Sequence, residues 1–211
     1  MNIIAQPLGM LLKLIFDIVG NYGLSIMVFT IIVKLLLVPL TLKQTESMKD
    51  LQTIQPKIDK LKETYKDNQE KLNEKTLELY KQFNVSPLGG CFPLLIQLPV
   101  IIGLFTVLRS PEVYVFASEE VYRSISTNFL WLTNLADPDP WILPLMAAFT
   151  TYLSTITAAS TGSGQSQQFL KYLMPLVIFW SGRSFAAGLT LYWVVSNVFQ
   201  ILQQRVLMER G

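Results

Sequence analysis

Histidine is absent from this sequence, and cysteine occurs once, at Cys91. The first absence removes the commonest general base and the commonest metal ligand. The second rules out an intramolecular disulfide and any zinc site built from several thiolates. No cofactor, metal or catalytic site is therefore expected. Charge is scarce as well: Asp, Glu, Lys and Arg make up 15% of the chain, against about 25% in an ordinary soluble domain. No G-x-x-x-x-G-K-[ST] run is present, which argues against ATP hydrolysis. The net charge of +2 is too small a basic field for recognition of nucleic acid.

The charges that exist are segregated. Residues 43–85 hold nine lysines and eight acids, while long stretches elsewhere hold almost none. A bilayer imposes such a pattern, because charge is costly in hydrocarbon. Apolar runs at 23–42, 91–108 and 141–156 are candidate spans. The run 170–206 is interrupted at Ser181-Gly182-Arg183-Ser184. An arginine inside one unbroken helix would be very costly, so the run divides into two short spans, with Lys171 snorkelling.

Residues 1–20 do not read as a signal peptide, since their one cation, Lys13, lies mid-segment. Asn2, Gln6, Gly9, Lys13, Asp17 and Gly20 recur at helical spacing as a narrow polar stripe. An interfacial helix fits best, with a poor transmembrane start as the alternative. The expected fold is thus an all-α polytopic membrane protein. It has five transmembrane helices, an interfacial helix at 1–20 and a core over 21–211. That core includes a cytoplasmic helical hairpin at 43–85, an outer loop at 109–139 and a cytoplasmic link at 159–168. The lysine count of 43–85 puts that segment in the cytoplasm, the amino terminus outside and the carboxyl terminus inside.

Within the hairpin, Met48, Leu51, Ile58, Leu61 and Tyr65 form one apolar stripe, and Leu72, Thr76, Leu79 and Phe83 another. Asp67-Asn68 makes a turn between them, and Glu63/Lys66, Asp67/Lys71 and Glu78/Lys81 have the spacing of supporting ion pairs. Either a solvated structural arm or a binding element accounts for this pattern.

Lys34 sits near the middle of the first span, where a lysine costs about 2.5–3.5 kcal/mol on insertion scales. No Asp or Glu lies within any expected span, so neutralisation must come from water, dipoles or a partner. Thr30 and Thr41 share its helix face. In the last span Thr190, Trp193, Asn197, Gln200 and Gln204 recur at three and four, beside Ser196 and Gln203. That stripe must face other helices or water, since lipid would leave its amides unsatisfied. Gln97, between Pro93 and Pro99, is a third intramembrane polar group. A wetted groove is one use of these faces, and interhelical hydrogen bonding is the other. The missing carboxylates leave a proton- or sodium-coupled transporter without its usual relay. Leu88-Gly89-Gly90-Cys91 looks like a lipoprotein cleavage box, but it falls between two spans.

The run Ser86-Pro87-Leu88-Gly89-Gly90-Cys91-Phe92-Pro93-Leu94-Leu95-Ile96-Gln97-Leu98-Pro99 resembles the most recognisable segment of the YidC family of membrane protein insertases. Gln55-Pro56-Lys57-Ile58 and the stretch from Gly188-Leu189 through Leu191-Tyr192-Trp193-Val194-Val195-Ser196-Asn197 resemble two further motifs of that family, in the same order. The resemblance implies five spans around a hydrophilic groove, open to the cytoplasm and to lipid, in a bacterial cell membrane. It implies that the groove cation falls on Lys34, with Thr30, Gln97, Trp193, Tyr192 and Asn197 in the substrate-binding groove. It also implies that Gln55, Pro56 and Lys57 lie in a hairpin that helps receive substrate. Nascent membrane proteins are the implied substrates; the apolar span of a substrate is expected to slide into lipid between the third and last spans. The bilayer is the implied surrounding, and a Sec translocon and the ribosome are implied partners. A small channel or lipid scramblase could use the same groove. The chain departs from the family pattern in having lysine where arginine is usual, and Ala186, preceded by Arg183, where proline is frequent.

Overall fold

The computed structural model describes residues 2–83, 85, 92–116, 118–125, 127–158 and 165–208, with no side-chain description for 2–3, 43–49, 51–52, 92–97, 119, 123–124, 158, 165–170 and 207–208. Among these, nine helices form: α1 (Asn2–Val19), α2 (Tyr22–Thr64), α3 (Gln69–Gln82), α4 (Phe92–Arg109), α5 (Pro111–Tyr114), α6 (Glu119–Ser124), α7 (Ile142–Ala158), α8 (Gln165–Gly182) and α9 (Ala187–Met208). Among the described residues, the β-type pairing is limited to the isolated bridge between Phe129 and Leu132. The fold is all-helical.

Helix α1 ends at Gly20, whose φ of 71° is left-handed backbone that glycine adopts without a Cβ penalty. One residue later Asn21 caps α2, its side chain accepting from the Leu24 N–H at 3.0 Å. Helix α1 has three faces. Ala5, Leu12 and Ile15 are buried, while Met10, Leu14 and Ile18 are exposed apolar residues. Lys13 and Asp17 form an exposed ion pair at 2.8 Å. Gly9 does not belong to the polar stripe, because a Cβ there would collide with the Tyr114 backbone. Glycine at this position lets α1 approach α5.

Helix α2 contains the segment Tyr22–Leu42, 21 residues of mean hydropathy 2.4 and, among the described residues, the one helix long and apolar enough alone to cross a membrane. Leu98–Arg109 and Ile142–Thr157 are shorter apolar helices. The expected boundary between first span and hairpin is not a break. Helix α2 continues to Thr64 for 43 residues, with Pro39 and Pro56 inside it. At 1.5 Å per residue it is about 64 Å long, roughly twice the ~30 Å of hydrocarbon. Asn68 then caps α3 by accepting from the Lys71 N–H at 3.0 Å. Ile54, Ile58 and Val85 bury a small core between the two arms. The ion pairs that close are Lys62–Asp59 at 3.2 Å and Lys75–Glu78 at 2.7 Å, not the three suggested by spacing. Exposed lysines have several carboxylates within reach, so spacing alone does not select among them. Met48 and Leu51 of the first stripe fall among the residues without side-chain description.

The bundle has a hairpin end and a loop end. Helix α7 packs along α8 and α9, α9 along α2, α2 along α1, and α1 along α4. Helix α4 touches α2 and α9 only briefly, so α4 and α8 flank the loose side of the bundle. Helix α8 starts at Gln165, so the expected link through 168 is shorter on that side, and residues 159–164 lie outside the described set. The interruption before α9 is present. Arg183 leaves the helices and lies over the Trp141 ring, 4.4 Å from its centroid. Lys171 rests 5.5 Å from the ring centroid of Tyr172.

The loop end is heavily tied. Phe16, Tyr22, Phe116 and Tyr122 form an aromatic cluster with centroids 5.0–6.4 Å apart. The Ala187 and Gly188 N–H groups, at the start of α9, donate to Asp137 O and Leu135 O, both at 2.9 Å. Asp139 caps α7, accepting from the N–H groups of Trp141, Ile142 and Leu143 at 2.9, 3.0 and 3.2 Å, and from Trp131 Nε1 at 2.8 Å. Burial would raise its carboxyl, but these hydrogen bonds outweigh it and hold the group below the ordinary aspartate range.

Candidate functional site

The main apolar core occupies the loop-end half. Its members on α2 are Tyr22, Ile26, Phe29 and Val33, and the next residue is Lys34. Lys34 is 9% exposed and lies on the floor of that core. Helix geometry puts Thr30 one turn above it on the same face. Thr30 is fully buried and donates back to Ile26 O at 2.6 Å.

The partner face belongs to α9. Gln203 Nε2 donates to Thr41 Oγ1 at 2.7 Å, an offset of 162 residues. Gly188 lies against Ile26 at the same offset. The two helices are therefore parallel with one register, which sets Ser196 level with Lys34 and Tyr192 level with Thr30. Tyr192 and Ser196 are both buried. Lys34, Thr30 and Tyr192 are thus brought to one seam.

No carboxylate accompanies them. Helices α4, α7, α8 and α9 contain no Asp or Glu along their whole lengths. Among the described residues, the ion pairs are Lys13–Asp17, Lys62–Asp59 and Lys75–Glu78, none of which involves Lys34.

Trp193 and Asn197 face elsewhere. Trp193 Nε1 donates to Thr151 Oγ1 at 3.1 Å, and the Asn197 amide lies 2.9 Å from Thr151 Oγ1 and 3.2 Å from Thr150 Oγ1. Thr157 donates to Gln204 Oε1 at 2.7 Å. The α9 stripe therefore divides in two, with Ser196 and Gln203 towards α2 and Trp193, Asn197 and Gln204 towards α7. Those bonds close the α7–α9 seam that the sequence suggested as the exit. Thr150, Thr151, Ser154 and Thr157 recur on α7 at helical spacing, a signal that could have identified the partner stripe. The Gln97 backbone is helical in α4, while its side chain lies outside the described residues, as do residues 86–91 of the long motif.

Two cavities lie along the loose side. The first, about 160 Å³, is walled by Ile101, Ile102 and Phe105 of α4, Ala147 of α7, Ile178 of α8, and Thr190 and Trp193 of α9. The second, about 300 Å³, lies nearer the loop end beside Arg109, Pro138, Ser184 and Ala186.

In the hairpin, Gln55 Nε2 donates to Asp59 Oδ1 at 3.0 Å, one turn along. Pro56 and Lys57 are exposed, and Lys57 Nζ sits 3.8 Å from the centroid of the Phe83 ring. This leaves a cationic and aromatic surface where α3 ends against the α2 arm.

Comparison with known proteins supplies the setting. The family model described as 60Kd inner membrane protein matches residues 14–211. The chain is similar to a protein of Fusobacterium nucleatum named membrane protein insertase YidC, 37% identical over 211 residues, covering 100% of this chain and 97% of that one. It is similar to the protein of that name from Caldanaerobacter subterraneus subsp. tengcongensis, 39% identical, covering 99% of this chain and 96% of the relative. Among solved structures it is similar to an active YidC insertase with its first transmembrane domain resolved, with a TM-score of 0.69 and 28% identity. That match covers 89% of this chain and 42% of the other.

Proposed function

The chain belongs to the 60Kd inner membrane protein family, in which its full-length relatives are membrane protein insertases, and from that premise we propose that Lys34 is the cation its substrates meet. The observation that carries this reading is a buried lysine on α2 with no carboxylate on α4, α7, α8 or α9. Charge at that depth is costly and calls for a counter-charge. An arriving acidic or polar segment of a nascent membrane protein supplies one, and leaves again when the segment moves on. Lys34 lies about 18 Å along α2 from its start at 1.5 Å per residue. A segment drawn to that level has only the loop-end half of the membrane left to cross.

Helices α2, α4, α7, α8 and α9 cross the membrane, with the hairpin end in the cytoplasm and the loop end outside. The amino terminus is then outside and the carboxyl terminus inside. Lys57 and Phe83 at the hairpin give an incoming chain a first contact that is both apolar and cationic. The apolar span of the substrate leaves on the loose side between α4 and α8, driven by its own transfer into lipid. Each step is non-covalent, and binding energy does the work. A Sec translocon or ribosome would act by delivering the segment to the hairpin.

The test is insertion of a single-span substrate with an acidic outer tail into proteoliposomes. Lys34→Ala is expected to lower insertion at least tenfold and Lys34→Arg to retain most of it. Equal insertion by the alanine variant and the parent would remove the cation from the mechanism.

A further inference from the structure

The two cavities of the loose side share Phe105, Phe185 and Leu189 in their walls. Phe105 of α4 and Phe185 of the α8–α9 turn meet edge to face, centroids 5.9 Å apart and planes at 73°. A layer one side chain thick therefore separates a membrane-level cavity from one at the loop end. Among the described residues, the rest of this end is closed by core packing and backbone bonds. Leu104, Val107, Leu108 and Leu135 are buried in the main core, and the start of α9 is bonded to the loop through Ala187 and Gly188.

The ring pair is different in kind. Phe185 sits on a turn rather than in a helix and is 38% exposed, so its side chain can swing without disturbing backbone hydrogen bonds. Leu189 is 5% exposed and fixed on α9. The first cavity reaches nearly to the level of Lys34, because Trp193 in its wall is within one helical turn of Ser196, although Trp193 lies on the α7 side of α9 and Lys34 on the α2 side. Beyond the pair stands Arg109, exposed, in the wall of the second cavity and 5.6 Å from the Phe105 ring centroid. A dry aromatic constriction thus lies between two cations.

We propose that Phe105 and Phe185 form the gate through which the acidic or polar outer segment of a substrate leaves the groove, passing between α4 and the α8–α9 turn from the level of Lys34 to Arg109. The proposal rests on the insertase reading above and names the exit of that same site. When the gate is empty, the two rings close on each other and exclude water and ions. A segment drawn by Arg109 parts them, and they close again once it has passed.

The experiment uses the full chain carrying Cys91→Ser, Phe105→Cys and Phe185→Cys, reconstituted in liposomes and bridged with a short, reducible, thiol-specific crosslinker. The substrate is a single-span protein with an acidic tail, and tail translocation is read by protease protection. Bridging is expected to lower translocation at least tenfold, and reduction is expected to restore it, so each sample controls for its own folding. Photo-crosslinking of the substrate to α2 near Lys34 is expected to persist in the bridged protein. Translocation by the bridged protein at the unbridged rate overturns the gate. In a second measurement, Phe105→Ala with Phe185→Ala is expected to pass a tail with bulky aromatic residues at least threefold faster than the parent, and an unchanged rate also overturns it. A parent protein that inserts nothing overturns the insertase reading and the gate together, whereas unimpeded translocation through a bridged pair in an active parent overturns the gate alone.

Discussion

A cation on a helix whose neighbours α4, α7 and α9 carry no acid must be stabilised by water, by dipoles or by whatever passes through. Lys34 was legible in the sequence because one charge in an apolar run stands out against its cost. Its neighbours were harder to read. The periodicity of Thr190, Trp193, Asn197 and Gln204 showed that α9 has a polar face, but not which helix the face meets. A second polar stripe, on α7, takes most of it, since an amide at that depth bonds with the nearest hydroxyl. Asp139 shows the same limit. Asp137-Pro138-Asp139-Pro140 announces a helix boundary, yet nothing in it says that Trp131, eight residues earlier, donates to the capping carboxylate at 2.8 Å. Asp139→Ala is expected to cost about 1 kcal/mol for the lost cap, with a further loss from the orphaned Trp131 N–H, measured by thermal unfolding in detergent. The hydrogen bonds hold the folded carboxyl below its unfolded value. Its contribution is therefore fully present above the ordinary aspartate pKa of about 4 and is lost as pH falls from there through the lower folded value. The alanine variant and the parent should converge in stability once the pH falls below the folded carboxyl's lowered pKa, and a gap that persists under fully acidic conditions would exclude the carboxylate as its source.

At the scale of elements, α2 is the instructive case. The hydrophobic run ends at Leu42 and a one-sided stripe follows, which reads as two elements with a joint between them. A helix does not need its surroundings to stay constant. Residues 40–55 contain neither glycine nor proline, so nothing at the end of the apolar run stops the helix. Periodicity reports what a helix faces, and only capping residues report where it stops. Asn68 and Gly20, which do bound helices, are residues of that kind. Pairing between elements makes a separate prediction. Thr150→Val with Thr151→Val removes the partners of Trp193 and Asn197 while keeping shape. Interhelical bonds of this type average about 0.6 kcal/mol each, so the pair is expected to lower stability by about 1 kcal/mol in a denaturant titration in mixed micelles. An unchanged midpoint would mean that packing alone holds α7 to α9.

Taken whole, the molecule is asymmetric along its long axis. Aromatic rings, capped helix starts and the apolar core crowd the loop end, while the hairpin end projects a thin pair of charged helices. The lysine count assigns the hairpin end to the cytoplasm as an expectation, and it needs no contact map. The arrangement of helices around the loose side was not readable, since it depends on which apolar faces meet, and those faces look alike in sequence. Orientation can be tested directly in a Cys91→Ser background. An impermeant maleimide applied to intact cells is expected to label Leu130→Cys, at a position 76% exposed in the loop, and not Lys66→Cys in the hairpin turn. The reverse pattern would invert the assignment.

Continuity in α2 also has a mechanical side. From Lys34 to Thr64 the same helix runs about 45 Å at 1.5 Å per residue, so it works as a lever with the cation near its fulcrum and the hairpin at its far end. A tilt of about 5° about the level of Lys34 would carry the tip about 4 Å sideways over that length. Pro39, between cation and tip, removes one rung of the ladder and offers a natural place to flex. On the proposed reading, in which the hairpin receives the nascent chain and Lys34 its charge, load applied at the hairpin reaches the depth of the cation through one continuous helix, with no relay of side chains in between.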